Sequence, residues 1–154
     1  MNFKGGDGLN DEVGSIMNFF YRVFPVQIYD REIPIQIKTP SLYFPPPSVA
    51  DGNDTVSSYM KTYSLNVKVF HKDSQQAHDE AEKIAEAVRE RRSIIPLVDE
   101  TGTETGKSLR INRIESRISD KGVAVLVVQW NSRYWYKRDE NPDLQDFDFT
   151  SGVK

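Results

Sequence analysis

The sequence predicts an α+β domain: a mostly antiparallel β-sheet with two helices packed on one face and a long inter-strand loop. Three observations predict it. Val13, Ile16, Met17, Phe20 and Phe24, and again Ala77, Ala81, Ile84, Ala85 and Val88, recur at helical spacing. Tyr63, Leu65, Val67 and Val69 alternate with other residues as a half-buried strand does. Finally, Leu109 to Ile118 and Val123 to Tyr136 are two strand-like runs joined by Ser119, Asp120, Lys121 and Gly122, a hairpin signal.

Residues 1–9 contain Gly5, Gly6 and Gly8 and read as a flexible arm. The first helix is expected to start at Asn10, with Asp11 and Glu12 in a first turn that favours anions, and to end before Pro25. Val26 to Asp30 and Ile33 to Lys38 then read as a hairpin, with Pro34 confining the second strand to an edge. Thr39 to Lys61 reads as a long insertion without regular structure, its core at residues 41–60. The strand from Tyr63 to Phe70 follows. Asp73 and Gln76 have capping-box spacing at the head of the second helix. Its narrow stripe of alanines calls for close packing on a sheet.

Ile94 to Val98 is a short strand interrupted by Pro96, and Asp99 to Ser108 a polar loop. In the strand from Leu109 to Ile118 the alternation changes phase between Ile111 and Ile114, which predicts a bulge. Val123 to Val128 is apolar at successive positions, which predicts a central strand covered on both faces. Residues 10–136 thus form one domain, and residues 137–154 a polar tail.

The chain has 154 residues, enough for one core, with 38% apolar and 28% charged residues. Eight Phe, seven Tyr and two Trp set it apart from disordered acidic chains. A net charge of -3 argues against sequence-independent nucleic-acid binding, and five acids against three bases in residues 137–154 carry most of it. The absence of Cys removes disulfides, thiolate catalysis and cysteine-ligated zinc. No apolar run approaches the roughly 18 residues of a membrane span, and the first residues do not resemble a signal peptide. The expectation is a soluble, cytosolic chain with no membrane partner.

Motifs that suggest chemistry have plainer explanations. Gly102 to Ser108 resembles a phosphate-binding loop, but only three residues separate Gly102 from Gly106, and a strand follows where a helix is needed. Asp30, Glu32, Gln36 and Lys38 suggest a divalent-metal nuclease, yet the acids fall in the turn itself. His71, Asp73, His78 and Asp79 lack a third strong metal ligand and fit helix capping better. Arg89, Arg91 and Arg92 sit where a helix C-terminus favours cations. No catalytic residue, cofactor or metal ligand is assigned. The aromatics say more. Tyr43 and Phe44 precede Pro45, Pro46 and Pro47; Trp135 and Tyr136 end the last strand; Phe147 and Phe149 alternate with aspartates in the tail. These nine residues are the candidate contact surface, because one small core cannot hold all the aromatics.

The run Val67 to Asp73 leads into an alanine-rich helix from Ala77 to Ala85, and a hairpin ends in Val127 to Tyr134. Together with the leading helix and long loop, this order resembles the tail terminator proteins of tailed bacteriophages over approximately Asn10 to Tyr136. The resemblance implies a non-enzymatic virion protein that forms a homohexameric ring. The ring would cap the tail tube, end its polymerisation and present a surface to the head–tail connector. It implies no cofactor and no sequence-specific nucleic-acid binding, although DNA would pass through the ring, and assembly in the host bacterial cytoplasm. Head–tail connector and stopper proteins of the neck share parts of the pattern and remain the alternative. Ring closure by heterologous contacts needs two unlike patches per subunit, for which the loop from Ser41 to Met60 and the tail from Lys137 to Lys154 are the candidates.

Overall fold

The structure, a computed structural model, describes residues 8–137. Seven strands form one sheet in the order β1-β2-β4-β7-β6-β5, with β3 paired to β4 beside β2. The strands are β1 (Gln27–Asp30), β2 (Ser41–Phe44), β3 (Ser48–Asn53), β4 (Ser58–Phe70), β5 (Ile94–Val98), β6 (Glu104–Asp120) and β7 (Val123–Trp135). Helices α1 (Gly8–Val23) and α2 (Ser74–Glu90) lie on one face. The fold is α+β, as expected.

Both helices follow their apolar stripes. Ile16, Met17 and Phe20 of α1 are fully buried, with Val13 and Phe24 packed beside them. The helix begins at Gly8, ahead of the expected cap at Asn10, because end residues depend on hydrogen bonds that periodicity does not register. On α2, Ala77, Ala81, Ile84, Ala85 and Val88 are buried, the small residues letting the helix approach the sheet. Asp73 caps this helix, its Oδ1 accepting from the Gln76 N–H at 2.8 Å. Ser15 ties α1 to the sheet: its Oγ accepts from the Val98 N–H at 2.9 Å. Burying the inward residues of β4 and β7 with both stripes supplies the main drive to fold, at roughly 25 cal/mol per Å² of apolar surface.

Three expectations are corrected. Ile33 to Lys38 is not a strand. β1 pairs instead with β2, in parallel, from Gln27 opposite Ser41 to Asp30 opposite Phe44. Pro34 lacks the donor a ladder needs, and Arg31 turns the chain at φ 69°, so residues 31–38 form a loop outside β1. The insertion at 41–60 is no structureless loop either. It contains β2, β3 and the start of β4, and β3 pairs with β4 from Ser48 opposite Ser64 to Asn53 opposite Tyr59. All six residues of β3 are exposed, so the segment carries no core alternation from which a strand is legible. The loop expected at Asp99 to Ser108 is shorter, since β6 begins at Glu104.

β7 is central, as its sequence predicts, between β4 and β6. Its even-numbered residues Ala124, Leu126, Val128 and Trp130 face the helices. Among the described residues no helix covers the opposite face. There Val125 and Val127 are 5% and 9% exposed, lying in register between Lys68 and Arg117 and between Asn66 and Glu115. The flanking long side chains do what a second layer was expected to do. The β6–β7 hairpin turns at Lys121 and Gly122, with Gly122 at φ 71°. The expected bulge is present between Ile111 and Arg113.

Candidate assembly interface

The richest surface lies where β4 and β7 end together. The full-length register of β4 on β7 sets Tyr59 opposite Tyr134 and Tyr63 opposite Trp130. Tyr59 stacks on Tyr134 at 5.7 Å and Tyr63 on Trp130 at 5.4 Å, while Tyr136 meets Tyr59 tilted at 5.1 Å. The Tyr63 and Tyr134 hydroxyls share a hydrogen bond of 2.7 Å, and Lys61 Nζ sits 5.0 Å above the Tyr134 ring. Beyond this stack, Trp135 is 69% and Tyr136 52% exposed. Val49 and Val56 are exposed as well.

The turn between β3 and β4 is fastened to this end. Asp54 accepts from Ser58 Oγ at 2.7 Å and pairs with Arg133 Nε at 2.6 Å, while the Tyr136 N–H donates to Ser57 O at 2.9 Å. The Ser58 hydroxyl, and after it Arg133, holds the Asp54 carboxyl below its ordinary range. The aromatic surface is therefore preorganised by a charged clasp.

A second apolar patch is the loop outside β1. Ile35 is fully exposed and Ile33 is 39% exposed. The loop is anchored at both ends, by Tyr43 Oη donating to Arg31 O at 2.9 Å and by the Lys38 N–H donating to Tyr29 Oη at 3.1 Å.

Between β6 and β7 lies a cleft of about 800 Å³. Among the described residues, β7 pairs with β6 only as far as Trp130 opposite Ile111 and from Asn131 on with β4 alone, while β6 from Glu104 to Arg110 pairs only with β5. The bulge after Ile111 thus swings β6 away from β7. The phase change between Ile111 and Ile114 was the only trace of this split in the sequence.

The candidate contact residues separate by burial. Trp135 and Tyr136 are on the surface. Tyr43 is half-buried with its hydroxyl engaged, and of the three prolines only Pro46 is exposed. Phe44 is 1% exposed, 5.9 Å from Phe20, and leaves no surface to a partner. The alternation in β2 directs Phe44 and Leu42 inward, which reading the segment as a loop conceals. Phe147 and Phe149 lie outside the described residues. Ile33 and Ile35, which the sequence pattern places in a strand, lie instead on the loop outside β1 with exposed side chains.

The chemical motifs dissolve into structure. Asp99 accepts from the N–H groups of Thr101 and Thr103 and from Thr101 Oγ1, closing a turn that runs into strand β6. The Thr101 hydroxyl, first, depresses the Asp99 carboxyl. His71 stacks on Phe24 at 6.3 Å and its Nδ1 accepts from the Lys72 N–H at 2.9 Å. Asp73 is the α2 cap, and Asp79 accepts from Gln75. Arg89 pairs with Glu82 at 2.6 Å and Glu86 at 3.2 Å, and Arg91 lies over Phe19. Among the described residues no three acidic or histidine side chains gather as a metal site. No described helix is long and apolar enough to cross a membrane.

The chain is 53% identical over 146 residues to the uncharacterized protein YqbJ of Bacillus subtilis strain 168, and 55% identical over 146 residues to the phage-like element PBSX protein XkdJ of the same organism. Each alignment covers 95% of this chain and 100% of the relative. Among solved structures, a chain from the virion of the native gene transfer agent particle aligns at a TM-score of 0.49 and 14% identity, over 83% of this chain and 97% of that one. The family described as phage tail terminator protein matches residues 13–143, from the first buried turns of α1 to beyond the end of β7. This chain belongs to the phage tail terminator family and is a phage virion structural protein.

Proposed function

We propose that the protein ends tail-tube growth by capping the tube as a homohexameric ring, and then offers its free face to the head–tail connector. The observation that carries this reading is the family match over residues 13–143, which takes in the whole sheet and both exposed apolar patches. The surface chemistry supports it. A closed ring of heterologous contacts needs two unlike patches on each subunit. The loop bearing Ile33 and Ile35 lies outside β1, whereas Trp135 and Tyr136 lie at the end of β7. The action is surface complementarity with no reaction: exposed aromatics on a rigid sheet end are suited to burial against a partner. The domain at 10–136 would form the ring body, with residues 1–9 and 137–154 as appendages to it.

The test is solution mass together with negative-stain images of the protein mixed with tail tubes. Hexamer-sized rings, or rings appearing on tube ends and halting elongation, are the expected result. A monomer indifferent to tubes at high concentration would sink the proposal. Binding to the portal side in place of the tube would overturn it in favour of a neck stopper.

A further inference from the structure

We propose that the loop bearing Ile33 and Ile35 docks into the β6–β7 cleft of a second copy of this chain, a knob on one side of each subunit entering a slot on the next. This contact rests on the ring proposed above and names the surfaces that would close it. In the strand order β1-β2-β4-β7-β6-β5 the loop lies outside β1 and the cleft between β7 and β6, on opposite sides of β4. Seating the knob of one copy in the slot of the next therefore leaves the second copy's own knob facing a third. Unlike patches so placed make a heterologous contact that repeats, whereas a self-complementary patch stops at a pair.

The loop is shaped for insertion. Ile35 is fully exposed and Ile33 is 39% exposed, with Pro34 between them. Pro34 fixes its own φ, Tyr43 Oη donates to Arg31 O, and Tyr29 Oη accepts from the Lys38 N–H. A tip held at both ends loses little conformational freedom on docking. The receiving cleft encloses about 800 Å³, and Leu97, Leu109 and Tyr134 give it an apolar floor that is continuous with the core. Branched apolar side chains are the guests such a floor accepts.

Charge selects a second copy as the partner. Arg31, Glu32 and Lys38 surround the apolar tip, while Asp11 of α1 and Lys107 and Arg110 of β6 line the cleft. Both signs stand on both surfaces: the loop cations have Asp11 to meet, and Glu32 has the cations of β6. Two other charges of the cleft are engaged within their own subunit, Asp99 with Thr101 and Thr103 and Arg133 with Asp54. An apolar centre inside a rim of paired charges is the anatomy of a specific interface, with the rim setting orientation.

The chain has no cysteine, so introduced thiols report the contact cleanly. Gln36, beside Ile35, and Ser108, in the cleft, are both exposed. Full-length Gln36→Cys and Ser108→Cys proteins are mixed, with and without tail tubes, and oxidised; a disulfide forms only where Cα atoms come within about 7 Å. The mixed disulfide is expected in about tenfold excess over either homodimer, since the contact joins unlike patches. Adding Ile35→Asp to the Gln36→Cys protein should lower its yield about tenfold, because the tip then carries a charge into an apolar floor. No mixed disulfide under either condition, equal yields of all three products, or a yield indifferent to Ile35→Asp overturns the proposal. A dominant Gln36→Cys homodimer also overturns it, by assigning the loop to a twofold contact. Rings on tube ends without the mixed disulfide would sink the knob-and-slot contact alone. The mixed disulfide with tubes left uncapped would instead sink the tube-capping reading alone.

Discussion

Phe44→Ala and Trp135→Ala separate core from contact surface among residues that look alike in sequence. Phe44 is buried to 1% and packs 5.9 Å from Phe20, so truncation loses apolar burial and leaves a cavity beneath α1. Such Phe→Ala changes cost about 3–5 kcal/mol. That is a large part of a typical stability of roughly 5–15 kcal/mol. At about 2–4 °C per kcal/mol for a chain of this size, Tm should fall by roughly 6–20 °C. Trp135 is 69% exposed, and its removal should move stability by no more than about 0.5 kcal/mol. Its effect should appear instead as lost capping of tail tubes. Thermal unfolding read by near-UV circular dichroism, beside a tube-length assay, checks both. A Phe44→Ala protein melting within about 2 °C of the native chain, or a Trp135→Ala protein destabilised as much as Phe44→Ala, would refute the division.

Gly122 and Gly106 both have positive φ, but a Cβ at Gly122 would lie 2.9 Å from His71 O, whereas one at Gly106 would meet nothing within 4 Å. Gly106→Ala should therefore cost only the left-handed backbone penalty of about 1–2 kcal/mol, and Gly122→Ala visibly more, by denaturant midpoints; equal costs would show that the hairpin yields around the added methyl. Glu82 is held below its usual pKa of 4.5, first by the hydrogen bond from Ser116 and then by Arg89. A depressed carboxylate stabilises the fold above its unfolded pKa and loses that effect as pH falls through the folded value. Glu82→Gln should thus be the less stable protein near neutral pH, with the gap closing from about pH 4.5 downward; a gap constant with pH would exclude the ionised carboxylate as its source.

What the sequence disclosed depended on burial. The stripes of α1 and α2, the β4 alternation and the β6–β7 hairpin were legible because each buries one face and exposes the other. Asp73, Gly122 and the bulge after Ile111 were legible because capping and turns need particular residues at particular spacings. β2 and β3 were not, since β2 is four residues long beside three prolines and β3 buries nothing. The parallel pairing of β1 with β2 depends on a backbone path through residues 31–40 that no periodicity encodes. Of the candidate surface, Trp135 and Tyr136 were found as aromatics crowding a strand end. Phe44 was misplaced for want of β2, and Ile33 and Ile35 were hidden inside a strand that is not there.

The treatment of edges in this sheet bears on how the protein meets partners. Each outer edge is defended. β1 has four residues, β5 carries Pro96 at its centre, and β3 is preceded by Pro45, Pro46 and Pro47 and contains Asp51 and Gly52. Short strands, prolines and charges are the usual means of stopping edge-to-edge pairing. The inner edges at the β6–β7 split, Glu104 to Arg110 and Asn131 to Trp135, contain no proline but carry Glu104, Lys107, Arg110 and Arg133. With the outer edges of β1, β3 and β5 guarded against backbone pairing, contacts between subunits should run through side chains, the exposed Ile35 and Trp135 foremost among them.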